Sequence, residues 1–343
     1  KDFYNTGDAT STSGGVGGIG AYITRCTLIN VYNTGDIIGK STCGGIASNL
    51  NDSIMENCYN TGNITDTNAP AGGIAYSISN STISNFYNTG NVSGASGAGG
   101  FSQNANNSTF TNCYNEGNII SSNSSAGGLI TYISNSSLTK CFNKGTVTAE
   151  QSGISGGVAA TIFESTLHQC FNENTVSSGS APSGGFAYSI DKSTITQCYN
   201  LGNITSGITG STVAVAGFAV NASSSKINNC YNKGNINTTL YTAGLIGYDK
   251  NNTIENCYNE GQILTTSCAG GIIYESTNST LKNIINKGII SSSGPSGGIV
   301  YIAKNCNIEK CANIAEIRTN APAGGVVYTL NDSNLIKCYN TAE

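Results

Sequence analysis

An asparagine recurs along the whole chain at a nearly constant interval, and this repeat constrains the fold more than any other feature. The interval is 27 to 29 residues, apart from one of 32. The thirteen positions are Asn5, Asn33, Asn60, Asn88, Asn115, Asn143, Asn172, Asn200, Asn232, Asn259, Asn286, Asn313 and Asn340. A period this strict indicates one short structural unit that is stacked about twelve times along one axis.

The repeating unit contains three short runs of β-forming residues between Gly-, Asn- and Ser-rich turns. Residues 58–64 read Cys-Tyr-Asn-Thr-Gly-Asn-Ile, residues 72–76 read Gly-Gly-Ile-Ala-Tyr, and residues 81–83 read Ser-Thr-Ile. No segment shows a sustained helical period. The sequence therefore predicts an all-β fold, a right-handed three-sided parallel β-solenoid (β-helix) of about 12 coils of roughly 27–28 residues. Residues 1–343 are expected to form one continuous array, with a longer coil near 199–230.

Three aliphatic columns recur with the same period and form the predicted core. In the unit quoted above they contain Ile64, Ile74 and Ile83. A glycine follows most repeat asparagines by two residues, as Gly62 does, and this pattern predicts a left-handed turn. Ala315 and Ala342 replace that glycine, so a changed turn or fraying is expected there.

The repeat asparagines are candidates for a structural ladder, because stacked amides can hydrogen-bond along the axis and to turn backbone. The predicted members are Asn33, Asn60, Asn88, Asn115, Asn143, Asn172, Asn200, Asn232, Asn259 and Asn286. The next residue alternates in charge in successive units, as in Glu116, Lys144 and Glu173. Such alternation is typical of side chains that are neighbours across stacked strands.

The chain has thirteen cysteines, and nine occupy one column before the aromatic residue. These nine are Cys58, Cys113, Cys141, Cys170, Cys198, Cys230, Cys257, Cys311 and Cys338. Val31, Phe86 and Ile284 occupy the same slot elsewhere, so the slot is apolar and suits buried free thiols. Disulfides between adjacent coils stay an alternative, because a Cα separation of roughly 4.8 Å is compatible with one. The spacings of zinc sites are missing, and no metal or other cofactor is expected.

Sequons of the form Asn-x-Ser/Thr are dense, and seven cluster at the turn before the third run. These candidate glycosylation sites are Asn51, Asn80, Asn107, Asn135, Asn251, Asn278 and Asn331. Glycans on them would coat one edge of the rod in a secreted chain. Chance occurrence in a sequence rich in Asn, Ser and Thr is the alternative interpretation.

Composition and motifs exclude several function classes. Only 10% of residues are charged and the net charge is -4, so the concentrated basic patch of a nucleic-acid partner is missing. No apolar run reaches the ~20 residues of a membrane span. The single histidine, His168, is expected to face solvent, and no paired carboxylates suggest catalysis, so the sequence predicts no enzyme. The extra residues around 206–210 are expected to bulge from one edge.

The unit resembles the GLUG-type repeat of bacterial surface proteins, which include adhesins. The matching segments are the Cys-Tyr-Asn-Thr-Gly-Asn-Ile of residues 58–64, the Gly-Leu-Ile-Gly of residues 244–247 and the Asn-Cys-Tyr-Asn of residues 256–259. The resemblance implies a cell-surface or secreted spacer without an activity of its own.

The functional hypothesis is an extracellular structural rod. Both ends of the sequence fall at a similar phase of the repeat and lack capping residues, so end-to-end stacking is expected. The expected partners are another copy of the chain or an adjoining solenoid of the same parent chain. The alternative is an adhesin-type module that binds a glycan, a protein or a host surface ligand on one face.

Overall fold

The computed structural model describes residues 2–208 and 213–342, which form a parallel β-solenoid of about twelve coils without helices. This confirms the predicted fold class. Each coil contributes five short strands, where the sequence indicated three runs. Corresponding strands of successive coils pair in parallel and build five axial sheets, numbered 1 to 5 here in chain order. Thr209 and Gly210 of the predicted bulge lie outside the described residues.

Sheet 1 carries the repeat asparagines in two-residue strands, and sheet 2 follows it along each coil. The strands of sheet 1 are Tyr4–Asn5, Tyr32–Asn33, Tyr59–Asn60, Tyr87–Asn88, Tyr114–Asn115, Phe142–Asn143, Phe171–Asn172, Tyr199–Asn200, Tyr231–Asn232, Tyr258–Asn259, Ile285–Asn286, Ala312–Asn313 and Tyr339–Asn340. Those of sheet 2 are Ala9–Thr10, Ile37–Gly39, Ile64–Asp66, Val92–Gly94, Ile119–Ser121, Val147–Ala149, Val176–Ser178, Ile204–Ser206, Ile236–Thr238, Ile263–Thr265, Ile290–Ser292 and Ile317–Thr319.

Sheets 3, 4 and 5 complete each coil. The strands of sheet 3 are Val16–Gly17, Cys43–Gly44, Ala71–Gly72, Ala98–Gly99, Ala126–Gly127, Ser155–Gly156, Ser183–Gly184, Ala214–Ala216, Tyr241–Ala243, Ala269–Gly270, Ser296–Gly297 and Ala323–Gly324. Those of sheet 4 are Gly20–Thr24, Ala47–Asn51, Ala75–Ser79, Ser102–Asn106, Ile130–Ser134, Ala159–Phe163, Ala187–Asp191, Ala219–Ser223, Ile246–Lys250, Ile273–Thr277, Val300–Lys304 and Val327–Asn331. Those of sheet 5 are Thr27–Ile29, Ile54–Glu56, Thr82–Ser84, Thr109–Thr111, Ser137–Thr139, Thr166–His168, Thr194–Thr196, Lys226–Asn228, Thr253–Glu255, Thr280–Lys282, Asn307–Glu309 and Asn334–Ile336.

Two corners of each coil use left-handed backbone at non-glycine residues. One corner joins sheets 4 and 5 at positions such as Asn80, and the other joins sheets 5 and 1 at positions such as Asn57. Their φ angles lie between 45 and 56°. Asparagine predominates there because it tolerates this conformation better than most side chains do.

The glycine two residues after each repeat asparagine has a different role from the predicted one. Among the described glycines only Gly97 has a positive φ, so the left-handed turn expected at Gly62 is wrong. A Cβ on Gly62 would overlap the carbonyl oxygen of Gly35 in the previous coil, so close approach of the coils requires glycine. At Ala315 the hydrogen bond of this turn is kept, because Asn313 Nδ2 donates to its carbonyl oxygen at 2.8 Å.

The core follows the three predicted aliphatic columns, since Ile64, Ile74 and Ile83 are fully buried. A fourth buried column runs along sheet 4, where Leu50 and Ile78 point inward. The described residues contain no helix that is long and apolar enough to cross a membrane.

Candidate functional site

The repeat asparagines form one continuous chain of side-chain hydrogen bonds, called the Asn ladder here. Each Nδ2 donates to the Oδ1 of the asparagine one coil further on, at 2.7 to 3.1 Å. From Asn5 to Asn313 each Nδ2 also donates to the carbonyl oxygen two residues later, as Asn143 does to Gly145 at 2.7 Å. From Asn33 to Asn313 the side chains are fully buried. The ladder therefore satisfies a row of buried amides that would otherwise destabilise the rod.

A column of glycines covers the inner side of the Asn ladder. These are the second residues of the Gly-Gly pairs, such as Gly45 and Gly128. A Cβ on Gly128 would lie 2.7 Å from Asn143 Cγ and would also overlap the carbonyl oxygen of Gly157. The Gly-Gly pairs are therefore required by packing against the ladder.

The ladder has a direction, and its two ends are open in a complementary way. Within the described residues no donor reaches Oδ1 of Asn5, and Nδ2 of Asn340 has no acceptor. Apolar side chains are exposed around both ends, with Tyr22 at 74% and Leu335 at 42% of full exposure. The first and last described coils thus present strand edges and apolar surface that have no partner among the residues that the structure describes.

Ten aromatic rings stack outside the Asn ladder and form the aromatic column. They are Tyr4, Tyr32, Tyr59, Tyr87, Tyr114, Phe142, Phe171, Tyr199, Tyr231 and Tyr258. Neighbouring centroids are 4.6 to 5.3 Å apart, with the ring planes within 3 to 10° of parallel. Burial and the neighbouring Tyr231 raise the pKa of Tyr199 to about 12, so this side chain is uncharged at neutral pH.

Two shallow grooves run along the aromatic column, against the corner that joins sheets 5 and 1. One has a volume of about 540 Å³ and the other about 420 Å³. The larger groove is lined by Lys140, Phe142, Gln169, Phe171, Gln197 and Tyr199, among others. Ring edges on one wall and amides on the other suit an amphipathic ligand that lies along the axis.

The cysteine column lies in the core beside the aromatic column, and all thirteen cysteines are free thiols. Six of the nine column members follow one another in consecutive coils, from Cys113 to Cys257, and all six are buried. Each Sγ lies within hydrogen-bonding distance of the carbonyl oxygen two residues earlier, as Cys113 Sγ does at 3.3 Å from Thr111 O. Burial raises the pKa of Cys58, and it raises that of Cys311 to about 12, so these thiols stay protonated and unreactive. Within the described residues no group of His, Cys, Asp and Glu is arranged to hold a metal ion.

The sequons fall at two different backbone positions. Five of the seven candidate sites lie at exposed left-handed corners, namely Asn80, Asn107, Asn135, Asn251 and Asn278. Asn51 and Asn331 lie one residue earlier and end strands of sheet 4, so the seven do not form one column. His168 is half-buried rather than facing solvent freely, and its Nδ1 lies 2.8 Å from Thr196 Oγ1.

A serine column and Asp249 are two of the buried polar features that the sequence did not predict. A serine column precedes sheet 5, where Ser81 Oγ accepts from the backbone N of Ser53 at 3.1 Å and donates to Ser79 O at 2.7 Å. The recurrence of Ser before Thr-Ile could have revealed this column. The second feature is Asp249, which is 2% exposed in the fourth core column. Its neighbours in sequence carry no pattern that would have revealed it.

Asp249 is a buried carboxyl held by uncharged donors. Ser276 Oγ donates to its Oδ2 and Asn252 Nδ2 donates to its Oδ1, both at 2.5 Å. Burial raises the pKa from 3.8 to about 6, although these hydrogen bonds lower it. Because the folded pKa is raised, the protonated carboxyl contributes stability that is complete below pH 3.8 and is lost as the pH rises through about 6.

Replacing Asp249 by Asn is expected to remove this pH dependence. A shift of roughly two pKa units corresponds to about 3 kcal/mol. Between pH 4 and pH 7 the parent chain should therefore lose about 3 kcal/mol of unfolding free energy relative to the variant. Guanidinium unfolding across this range measures the difference. Asp52→Asn is the matched control, because it makes the same change of side chain at an exposed position. A pH-independent difference for Asp249→Asn would contradict the burial argument.

No protein-family model matches the chain, and a search of curated proteins finds no significant match.

Proposed function

We propose that the chain is a structural rod, a segment of a surface filament or stalk outside the cell whose end coils stack on further coils. The observation that carries this proposal is the Asn ladder, whose side-chain hydrogen bonds continue from coil to coil between Asn5 and Asn340. A second copy placed head to tail would let Asn340 Nδ2 donate to the Asn5 Oδ1 of that copy. The same contact would place the exposed Tyr339 against the exposed Tyr4 of that copy.

The proposed location outside the cell is supported by the five sequons at exposed corners, where a glycan would point away from the rod. The resemblance to GLUG-type repeats of surface proteins agrees with this location. A rod without its own chemistry is the simplest role for this array.

End-to-end stacking is tested by sedimentation velocity over a range of protein concentrations. The chain should form growing oligomers, and Leu335→Lys should stop growth by placing a charge on one end face. Leu264→Lys is the matched control, because Leu264 is 47% exposed on the side of the rod instead of at an end. If the unmodified chain stays monomeric at the highest concentration, or if both variants behave alike, the stacking proposal is wrong.

The second candidate function is an adhesin-type binding module, supported by the grooves along the aromatic column. In this case a glycan or a protein segment would lie against Phe171 and Gln169. Saturable glycan binding that is lost in Phe171→Ala would favour this candidate over the rod alone.

A further inference from the structure

One surface column beside the aromatic column carries an ordered pattern of charge. It consists of the residue that follows the repeat asparagine in seven consecutive coils, and it is called the charged column here. Its members are Glu116, Lys144, Glu173, Leu201, Lys233, Glu260 and Lys287. Leu201 occupies the central coil. Each charged residue before Leu201 has the opposite sign to the residue that lies the same number of coils after Leu201.

The charged column is accessible and already ordered by axial contacts. Lys144 Nζ lies 3.5 Å from Glu116 Oε1, and Glu260 lies 3.0 Å from both Lys233 and Lys287. The lysine and glutamate side chains of these pairs are 32 to 44% exposed to solvent, and Leu201 is 37% exposed. Such exposed pairs contribute little stability by themselves.

The lysines also connect the charged column to the aromatic column. The Nζ atoms of Lys144, Lys233 and Lys287 lie 5.2, 5.5 and 4.6 Å from the centroids of Phe142, Tyr231 and Tyr258. Charge and aromatic surface therefore form one face, with an exposed leucine at its centre.

We propose that this face binds a second copy of the chain, antiparallel, around a two-fold axis at Leu201. A two-fold axis brings a residue at one height opposite the residue at the mirrored height in the partner. Glu116 then faces Lys287 of the partner subunit. Lys144 faces Glu260 of the partner subunit, and Glu173 faces Lys233 of the partner subunit. All six charges meet an opposite charge, and the two copies of Leu201 meet at the axis.

Competing arrangements of the same face are disfavoured by charge. A parallel pair in register would place every glutamate opposite a glutamate and every lysine opposite a lysine. A parallel pair shifted by one coil would bring opposite charges together, but this arrangement does not close into a two-fold dimer. A shift of the antiparallel pair by one coil would bring Glu116 opposite Glu260, and Lys144 opposite Lys233, of the partner subunit. Because like charges across an interface are costly, the pattern specifies both the direction and the register.

The dimension of the face indicates a modest, charge-steered contact. Six coil steps of roughly 4.8 Å place Glu116 and Lys287 about 29 Å apart along the rod. A contact of this length on a narrow surface buries an area at the lower end of the range for specific protein–protein interfaces. Its affinity should fall as salt rises, because exposed charges are screened over about 10 Å at 0.1 M ionic strength.

Zero-length carbodiimide crosslinking between carboxylates and lysines tests the proposal directly. The Leu335→Lys background is used so that end-to-end association does not contribute. At low salt the amide product Glu116–Lys287 is expected, and one chain cannot form it because these residues lie far apart. If the dimer band contains only links between axial neighbours, such as Glu116–Lys144, the proposed register is wrong.

Charge reversal gives a second test by sedimentation equilibrium in the same background. Lys233→Glu should weaken the dimer by about tenfold or more, because it creates two like-charge contacts at the centre. Adding Glu173→Lys restores opposite charges and should restore the affinity to within about threefold. Lys192→Glu is the control, since Lys192 pairs with Glu164 at 3.4 Å on another edge, and it should leave the dimer unchanged. A double variant no better than Lys233→Glu would overturn the proposal, as would the absence of dimer at low salt.

Discussion

Replacing Asn143 by Leu is expected to lower the free energy of unfolding by about 4 kcal/mol. The change deletes three hydrogen bonds at a fully buried position: from Asn115 Nδ2 at 2.8 Å, to Asn172 Oδ1 at 2.8 Å and to Gly145 O at 2.7 Å. One donor and two acceptors are left without partners, and each costs about 1–3 kcal/mol when buried. Guanidinium unfolding followed by circular dichroism measures the loss.

Two comparisons separate the Asn ladder from a general effect of the substitution. Asn118→Leu changes an exposed asparagine in the same part of the rod, at a position that holds Ile289 in a later coil, and should cost less than about 1 kcal/mol. Asn5→Leu changes the half-buried first member of the ladder and should cost less than Asn143→Leu. If all three variants lose similar stability, the buried ladder is not a main source of stability.

Replacing Gly128 by Ala is expected to destabilise the rod by about 4 kcal/mol, above the usual range for overpacking. The new Cβ would lie 2.7 Å from Asn143 Cγ and would overlap the carbonyl oxygen of Gly157. Neither group can move by changing a rotamer, because one is backbone and the other is held in the ladder. Thermal and guanidinium unfolding measure the change.

Gly20→Ala is the matched control for this substitution. Its Cβ would lie 3.5 Å from Ile23 Cγ1, which is ordinary contact, and the paired residue in the next coil is Ala47. This variant should be neutral or up to about 1 kcal/mol more stable, because alanine reduces the entropy of the unfolded chain. Equal losses for Gly128→Ala and Gly20→Ala would contradict the close-packing role of the Gly-Gly pairs.

The period alone was enough to predict the solenoid, the three aliphatic columns and the position of the Asn ladder. The strand count was harder, because two-residue strands such as Tyr59–Asn60 and Ala71–Gly72 are too short to show alternation. Gly62 shows why the turns were misassigned. Gly62 is needed because it contacts the previous coil, and sequence propensity does not describe contacts between coils. The left-handed backbone conformation is found at Asn57 and Asn80 instead.

The candidate site was predictable only where it repeats. The Asn ladder recurs in every coil, and the alternating charges recur in six. Asp249 occurs once, in a column that holds Ala222 and Ser276 in the adjacent coils. Its burial depends on the three-dimensional path of sheet 4, so a period-based argument could not identify it.

Electron microscopy of the purified chain at increasing concentration tests the central claim most directly. Twelve steps within one copy and one step to the next copy, each of roughly 4.8 Å, give an axial repeat of about 62 Å. Stacking through the open Asn ladder predicts straight rods whose lengths are whole multiples of this value, with an axial spacing of about 4.8 Å in their diffraction. Particles that never exceed one rod length at any concentration, or that lack the axial spacing, would contradict it.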